Sequence, residues 1–244
     1  MPPVFRVGVI GAYGRMGAEV CRAVEAEDDL ELFARVGRGD SLDSLSGADI
    51  AVEFSTPETV KENVLQSLQR GLDVVVGATG LTPADLTEIE AAASGSGSKV
   101  LVAPNFAVGA VLMMRFAAAA APHFDVVEIV ERHHERKLDA PSGTALRTAA
   151  LINEARSSAQ GSSEDENAAR GTDEGGVRIH SLRLPGSVAH QEVVLGGRGQ
   201  TLTIRHDSID RSSFMPGVLL AIRRVGDLPD PLTVGLEHLL DLAS

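Results

Sequence analysis

The sequence predicts an α/β protein whose first part is a doubly wound parallel sheet and whose second part is an α+β domain with an open mixed sheet. Apolar runs alternate with helical patterns over residues 1–105, a glycine-rich turn follows the first run, and alternating strands dominate after Asn105. Apolar strands joined by helical crossovers form a parallel sheet that is covered on both faces. We therefore expect a Rossmann-like first domain with its ligands at the carboxyl ends of the strands.

Short apolar runs in the first domain are predicted to be strands because helical patterns separate them. They span residues 7–10, 30–36, 50–54, 74–76 and 100–102. Two helices are expected to begin at a threonine followed by a proline, at Thr56-Pro57 and at Thr82-Pro83. Threonine caps the first turn of a helix through its hydroxyl, and proline suits the first helical position.

The pattern changes after Asn105, so the first domain is assigned to residues 1–105 and a second domain to residues 106–212. The predicted helices of the second domain are 108–121 and 144–156, and its predicted strands are 126–130, 177–184, 190–195 and 201–206. Residues 213–244, with a helical pattern from 214 to 225, are expected to return to the first domain. Residues 157–176 lack large apolar side chains, which predicts a mobile surface loop.

The composition excludes several classes of partner. The 244 residues carry a formal net charge of −12 at pH 7, so the phosphates of nucleic acids and of anionic membranes would be repelled. Cys21 is the single cysteine, which excludes a disulfide within the chain and predicts a buried structural thiol in a reducing compartment. The sequence shows neither a targeting signal nor an apolar segment of membrane-spanning length, which predicts a cytoplasmic protein.

A glycine-rich turn joins the first predicted strand to the first helix. It reads Gly11-Ala12-Tyr13-Gly14-Arg15-Met16-Gly17, and glycines in such a turn let a pyrophosphate approach the backbone N–H groups. Arg15 adds a cation beside that phosphate. The alternative is that the glycines only end the strand, since the spacing is G-x-x-G-x-x-G and not G-x-G-x-x-G. The position at the start of a parallel sheet favours a nucleotide site.

The end of the second predicted strand bears on the choice of cofactor. An NAD site usually has an acidic residue there, which binds the ribose hydroxyls. Here Arg35 and Arg38 stand on either side of Gly37, and arginine suits a 2′-phosphate. We therefore predict NADPH, with NADH as the alternative. In that alternative both arginines are solvated and Asp40 reaches the ribose.

Residues 131–137 concentrate cations in an acidic chain. Five groups in this segment can carry positive charge, namely Arg132, His133, His134, Arg136 and Lys137. A turn then enters a helix, where backbone N–H groups and the hydroxyls of Ser142 and Thr144 favour a carboxylate. We interpret the segment as an anion site in which the two histidines and the lysine are candidate proton donors. A surface charge run is the alternative, and a metal site is a weaker one because adjacent histidines are poorly placed to chelate one ion.

Together these segments resemble the 4-hydroxy-tetrahydrodipicolinate reductase family, formerly called dihydrodipicolinate reductase. The hallmark of that family, E-x-H-H-x-x-K-x-D-A-P-S-G-T-A, is present at residues 131–145. The segments 9–17, 76–80 and 103–109 agree with the family in order and place, and 54–57 and 205–208 also fit. The resemblance covers essentially the whole chain.

The resemblance implies a role for each matching position. His133 matches the proton donor or acceptor of the family, and Lys137 matches a proton donor. The substrate-binding positions are His134, Gly143 and Thr144, with Ser142 beside them. The cofactor-binding positions are Gly11, Ala12, Tyr13, Gly14, Arg15, Met16, Gly77, Ala78, Thr79, Ala103, Pro104, Asn105 and Phe106.

The chain departs from the family pattern at two positions. Ala78 stands where members often have threonine, so one hydroxyl is lost. Gly37 stands where many members have an acidic residue, and Arg38 follows it. The missing acid argues against a strong preference for NADH and agrees with the prediction of NADPH.

The resemblance implies reduction of 4-hydroxy-tetrahydrodipicolinate in the diaminopimelate route to lysine. The nicotinamide would deliver hydride to the ring, and His133 or Lys137 would supply the proton. The resemblance also implies a homotetramer formed through the sheet of the second domain, and no metal. Two alternatives stay open, namely another dehydrogenase on this scaffold that reduces an imino acid, and a nucleotide-binding regulator without turnover.

Overall fold

The computed structural model describes residues 4–156 and 168–240. The chain divides into two compact units, one formed by Met1–Val108 with Phe214–Ser244 and the other by Gly109–Ser213. The strands are β1 (Phe5–Ile10), β2 (Leu30–Val36), β3 (Ile50–Glu53), β4 (Asp73–Val76), β5 (Val100–Val102), β6 (Val126–His133), β7 (Thr172–Glu174), β8 (Val177–Arg183), β9 (Ala189–Gly197), β10 (Gln200–Ser208) and β11 (Leu232–Val234). The α-helices are α1 (Arg15–Glu25), α2 (Val60–Gln69), α3 (Pro83–Ser96), α4 (Val108–Ala120), α5 (Gly143–Ala155) and α6 (Met215–Arg224). None of the helices described combines the length and the apolar character that a membrane crossing requires.

The first unit is built on a six-stranded sheet in the order β11-β5-β4-β3-β1-β2, in which every neighbouring pair is parallel. Its central strands are buried on both faces, since all four residues of β3 are buried and so are Val74, Val75 and Val76 of β4. Such strands lie between layers of helices. The predicted Rossmann-like, doubly wound sheet is confirmed, and the carboxyl ends of its parallel strands lie on one edge.

The start of α3 confirms the helix predicted from Thr82-Pro83. Thr82 Oγ1 accepts a hydrogen bond from the Asp85 N–H at 3.2 Å, and Asp85 Oδ2 accepts one from the Thr82 N–H at 2.9 Å. These reciprocal bonds form a capping box, with proline at the first helical position.

The same prediction is wrong at Thr56-Pro57. Helix α2 begins at Val60, and Thr59 is its N-cap residue. Residues 56–59 form a turn in which the Thr56 carbonyl accepts hydrogen bonds from the N–H groups of Thr59 and Val60. The Thr59 hydroxyl is bonded to the Ser55 hydroxyl at 2.9 Å, so the side chains of this turn bond to one another in place of the expected cap.

The sequence pattern does not predict β11. This strand has three residues, which is too short to show a period, and it directly follows Pro231. It pairs in parallel with β5, where Leu232 lies opposite Val100. The strand therefore exists because the edge of a formed sheet offers partners for its backbone groups.

The second unit contains a five-stranded mixed sheet in the order β10-β9-β6-β8-β7. Strands β6 and β8 are parallel, and the other neighbouring pairs are antiparallel. One face buries Ile129 and Val193 against helix α5, which contributes Ile152. The opposite face carries Val126 and Leu182, which are exposed. The predicted open mixed sheet is confirmed.

Two segments of this unit differ from the sequence prediction. Residues 172–174 were expected in a loop, yet they form β7 and pair with β8. This edge strand is short and polar, so it carries no apolar pattern, while residues 157–167 of the expected loop lie outside the described residues. Strand β6 continues beyond its expected end at residue 130 and reaches His133.

Candidate active site

A cavity of about 390 Å³ opens beside the carboxyl ends of β1, β2 and β3 in the first unit. This is the edge at which a doubly wound sheet binds its ligands. Four of the predicted cofactor residues line the cavity, namely Gly11, Tyr13, Gly14 and Arg38. The other lining residues are Ile10, Val36, Gly37, Gly39, Asp40, Leu42, Phe54, Ser55, Thr56, Thr59 and Asn63.

The turn after β1 requires glycine for steric reasons. Gly11 has a φ angle of 78°, and a Cβ there would lie 2.5 Å from the carbonyl oxygen of Phe54. A Cβ at Gly17 would lie 2.1 Å from the carbonyl oxygen of Gly11, so α1 packs closely on the turn. Gly14 is the N-cap residue of α1, and the N–H groups of the first helical turn have no partner within the helix. Close packing therefore explains Gly11 and Gly17, and the exposed start of α1 at Gly14 stays compatible with a bound phosphate.

The other predicted cofactor residues do not line this cavity. Ala12 is buried, Arg15 is exposed and Met16 is partly buried at the start of α1. Residues 77–79 follow β4 and residues 103–106 follow β5. Both segments lie at the same edge of the sheet as the cavity, because β4 and β5 are parallel to β3.

Aromatic packing determines the residue type at Gly77. The Phe54 and Phe106 rings lie with their centroids 5.7 Å apart. A Cβ at Gly77 would lie 2.2 Å from the Phe54 ring. Glycine at this position therefore lets the loop after β4 pass close to the aromatic pair.

The two arginines near the end of β2 have different surroundings. Arg35 Nη2 donates to Glu25 Oε1 of α1 at 2.6 Å. Arg38 is exposed and lines the cavity. Asp40, the alternative ribose ligand, accepts a hydrogen bond from the Gly37 N–H at 2.7 Å and closes that turn. Arg38 is therefore the better placed of the two arginines to contact a ligand in the cavity.

A buried acid beside the cavity was not identified from the sequence. Glu53 is fully buried, and its Oε1 accepts hydrogen bonds from the Ser55 N–H at 3.2 Å and from Asn63 Nδ2 at 3.0 Å. Burial raises the pKa of Glu53 above its ordinary value, although these hydrogen bonds oppose the rise. Its Oε2 has no hydrogen-bond partner in the part of the chain that the structure describes. The signal in the sequence is a carboxylate that ends an apolar strand.

In the second unit, β6 ends with an acid and a histidine on its buried face. Glu131 and His133 are two residues apart, so they share a face of the strand, and His133 Nδ1 lies 2.6 Å from Glu131 Oε2. Arg183 of β8 donates to both oxygens of Glu131, at 2.9 and 3.0 Å. Burial would raise the pKa of Glu131, but hydrogen bonds from His133, Arg183 and Ser181 lower it to about 2.

Lys137 and His134 lie in the turn that follows β6. The Lys137 N–H donates to the His134 carbonyl at 3.2 Å, and Lys137 Nζ pairs with Asp139 Oδ2 at 2.8 Å. The ammonium group of Lys137 lowers the pKa of Asp139. His133 and Lys137 are thus each held by an acidic partner, whereas the His134 side chain is exposed.

Ser142 is the N-cap residue of α5. It is buried, and its Oγ accepts a hydrogen bond from the Ala145 N–H at 3.3 Å. Gly143 and Thr144 follow as the first residues of this 13-residue helix. The backbone N–H groups and the positive dipole end of a helix start favour a carboxylate. The Ser142 hydroxyl therefore stabilises the helix, and the start of α5 is the candidate anion site.

The alternative interpretation of residues 131–137, a run of solvated surface charges, fits only some of these residues. Arg136 is 86% exposed, and its nearest acidic partner is Glu135 at 3.6 Å. His133 and Lys137 are less exposed, and each has a close acidic partner. Among the described residues there is no group of three side chains that could hold a metal ion. His133 and Lys137 therefore do not belong to an exposed charge run.

Two family models match the two parts of the chain. A model described as "Dihydrodipicolinate reductase, N-terminus" matches residues 5–106. A model described as "Dihydrodipicolinate reductase, C-terminus" matches residues 109–240. The first match contains the cavity and the glycine turn, and the second contains β6 and α5.

Similar proteins match over nearly their full length. The protein named 4-hydroxy-tetrahydrodipicolinate reductase from Streptomyces coelicolor is 54% identical, and the match covers 97% of this chain and 98% of that protein. The protein of the same name from Thermobifida fusca is 52% identical, and the match covers 98% of this chain and 100% of that protein. The structure of dipicolinate-bound dihydrodipicolinate reductase from Paenisporosarcina sp. TG-14 is 38% identical with a TM-score of 0.85, covering 97% of this chain and 100% of that one. A probable dehydrogenase from Thermotoga maritima shares the fold alone. It is 15% identical with a TM-score of 0.62, and the match covers 96% of this chain and 92% of that one.

Proposed function

The chain belongs to the dihydrodipicolinate reductase family, and we propose that it reduces 4-hydroxy-tetrahydrodipicolinate to tetrahydrodipicolinate with NAD(P)H. It is an oxidoreductase of the diaminopimelate route to lysine. The observation that supports the proposal is the short segment of the second unit that carries His133 and Lys137 and leads into the start of α5. That arrangement combines proton donors with a site for a carboxylate.

The second unit would bind the dicarboxylate and move the proton. Thr144 and the Gly143 backbone would hold one carboxylate at the start of α5, and His134 would contact it from the preceding turn. Lys137, which pairs with Asp139 in this structure, would exchange that partner for the substrate. His133 or Lys137 would then donate a proton to the ring as negative charge develops on carbon or nitrogen.

The first unit would hold the cofactor, which supplies a hydride when it is bound. The glycine turn at Gly11 and the start of α1 fit the pyrophosphate of a dinucleotide, and the cavity lies beside them. In the complete reaction the hydroxylated substrate loses one water, the ring gains one hydride and one proton, and the cofactor is oxidised.

We infer that NADPH is the preferred cofactor. Arg38 lines the cavity, and Gly37 stands where an acid would bind the ribose hydroxyls of NADH. A guanidinium group binds phosphate oxygens through charge-assisted hydrogen bonds. The 2′-phosphate of NADPH therefore suits this site.

We also infer that four copies of the chain assemble through the open face of the mixed sheet. Val126 and Leu182 are exposed on this face, opposite the one that α5 covers. Apolar side chains on an uncovered sheet face are typical of an interface. A closed assembly would bury this face in every copy.

Steady-state oxidation of NADPH and NADH with synthesised 4-hydroxy-tetrahydrodipicolinate tests the reaction and the cofactor together. Lys137→Ala should lower kcat by about 100-fold or more, because a positioned proton donor contributes on that order, and it should leave NADPH affinity nearly unchanged. Arg136→Ala is the matched control, since it removes a neighbouring cation that is exposed. Full activity of Lys137→Ala, or activity with an open-chain imino acid and none with the cyclic substrate, would contradict the proposal.

A further inference from the structure

Glu131 is a charged side chain at a position of β6 that would ordinarily be apolar. It follows the buried Ile129 in the alternation of the strand, and it is itself fully buried. An isolated carboxylate in such a place is strongly unfavourable unless hydrogen bonds compensate for its lost hydration. The compensation here comes from His133, Arg183 and the Ser142 N–H, which belong to three different segments of the chain.

The contact with Glu131 determines which ring nitrogen of His133 is free. Because the pKa of Glu131 is lowered to about 2, its carboxylate is charged at neutral pH and can only accept hydrogen bonds. The hydrogen in the 2.6 Å contact therefore belongs to His133 Nδ1. Nε2 has no hydrogen-bond partner among the described residues, so it is the nitrogen that can exchange a proton with a ligand.

Arg183 joins this carboxylate to the segment that carries Lys137. It binds both oxygens of Glu131, and its Nη2 also donates to the Asp139 carbonyl at 2.6 Å. The Asp139 side chain in turn pairs with Lys137 at 2.8 Å. One largely buried guanidinium is thus connected to His133 through Glu131 and to Lys137 through Asp139.

We propose that Glu131 and Arg183 are positioning residues of the active centre. Glu131 sets the orientation and the tautomer of His133, and Arg183 holds Glu131 and the Asp139 segment in one arrangement. This role rests on the proposed function, because it concerns the two groups proposed to move the proton. The tautomer of His133, however, can be measured without any turnover.

The tautomer is tested by long-range ¹H–¹⁵N NMR of protein labelled with ¹⁵N-histidine. The neutral His133 ring, identified by its absence in a His133→Asn variant, should carry its hydrogen on Nδ1. In Glu131→Gln the amide can donate as well as accept, so the Nδ1–H form should no longer be the single species. A wild-type ring that carries its hydrogen on Nε2 would overturn the proposal.

Kinetics with graded variants test the effect on the reaction. We expect Glu131→Gln to lower kcat by about 100-fold, since loss of the group that orients a catalytic histidine is a severe defect. Glu131→Asp keeps the charge on a shorter side chain and should recover part of that loss. The affinity for NADPH should be unchanged in both variants, because the cofactor cavity lies in the other unit.

A double variant separates positioning from folding. Glu131→Gln alone leaves the Arg183 guanidinium without its counter-charge, which endangers the fold. Glu131→Gln combined with Arg183→Met removes both charges, and we expect it to fold by circular dichroism and to keep the low kcat. Wild-type kcat in the folded double variant would overturn the proposal. A wild type that never oxidises NADPH with the substrate would instead contradict the proposed function, and the NMR result would still decide the role of Glu131.

Discussion

At the scale of single residues, two arginines three positions apart have different surroundings. Arg35 pairs with Glu25 on α1 at 2.6 Å, whereas Arg38 lines the cavity in the first unit. The sequence treats them alike, because both stand near the end of the second strand and both suit a phosphate. Their different partners make them a natural test and control for the choice of cofactor.

Arg38→Ala should weaken the use of NADPH and spare the use of NADH. A hydrogen bond to a charged group contributes about 1.5–3 kcal/mol, so the KM for NADPH should rise about 10- to 100-fold. Arg35→Ala removes a cation outside the cavity and should leave the ratio of kcat/KM for the two cofactors unchanged. Equal losses with both cofactors in Arg38→Ala would exclude a contact with the 2′-phosphate.

Glu53 predicts a pH-dependent stability of the first unit. Burial raises its pKa in the folded state above the unfolded value, so folding favours the protonated form. Below the unfolded pKa of about 4.5 the carboxyl is protonated in both states, so burying it costs no charge penalty. As pH rises from there through the folded pKa, the carboxyl must be buried as a charged group and the protein loses stability.

Glu53→Gln keeps an acceptor for Ser55 and Asn63 and removes the charge. We expect it to raise the free energy of unfolding at pH 7 by about 1–3 kcal/mol, because a buried charge without a partner costs more than a neutral amide in the same place. At pH 4 the gain should vanish, which urea denaturation at both values would measure. Glu90→Gln, at an exposed position of α3, is the control and should show no such difference.

At the scale of elements, two glycines within helices have different surroundings, because only one of them packs closely against a turn. A Cβ at Gly17 of α1 would lie 2.1 Å from the carbonyl oxygen of Gly11, and backbone atoms cannot move aside as a flexible side chain does. A Cβ at Gly95 of α3 would meet no atom within 4 Å. The same residue type is therefore required in one helix and replaceable in the other.

Gly17→Ala should destabilise the protein by about 1–3 kcal/mol, the usual effect of overpacking, and should weaken NADPH binding because the glycine turn must move. Gly95→Ala should stabilise it by about 0.5–1 kcal/mol, since alanine favours an open helical position over glycine. Thermal unfolding and NADPH titration measure both effects. A neutral Gly17→Ala variant would contradict the packing of α1 on its turn.

At the scale of the whole molecule, the first unit is assembled from both ends of the described chain. Strand β11 extends the parallel sheet beside β5, and α6 belongs to the same unit. Arg223 of α6 donates to Asp29 at 2.7 and 2.8 Å and to Glu27 at 2.6 Å. Ion pairs between segments so distant in sequence hold the C-terminal helix against the loop before β2.

The open face of the mixed sheet predicts how copies associate. Leu182→Lys would place like charges on the same face of every copy, so light scattering after gel filtration should show that the proposed tetramer dissociates. Val4→Lys is the matched control, because Val4 and Leu182 are each 43% exposed and only the latter lies on this sheet. A tetramer that persists in Leu182→Lys would place the interface elsewhere.

The sequence by itself determined the features that depend on neighbours in the chain. The periods of the apolar residues predict both sheets, and Thr82-Pro83 predicts the start of α3. The segment 131–145 identifies the family. These features are readable because a strand, a capped helix turn or a motif is contained within a few consecutive residues.

Only the tertiary structure decided the partners of the charged groups. Arg183 lies 52 residues beyond Glu131, and no local pattern predicts that the two meet in the core. The same holds for Arg35 against Arg38 and for the edge strands β7 and β11. A charge in the core is stable only with a partner, and a short edge strand only with a sheet, so both depend on chain segments that folding brings together.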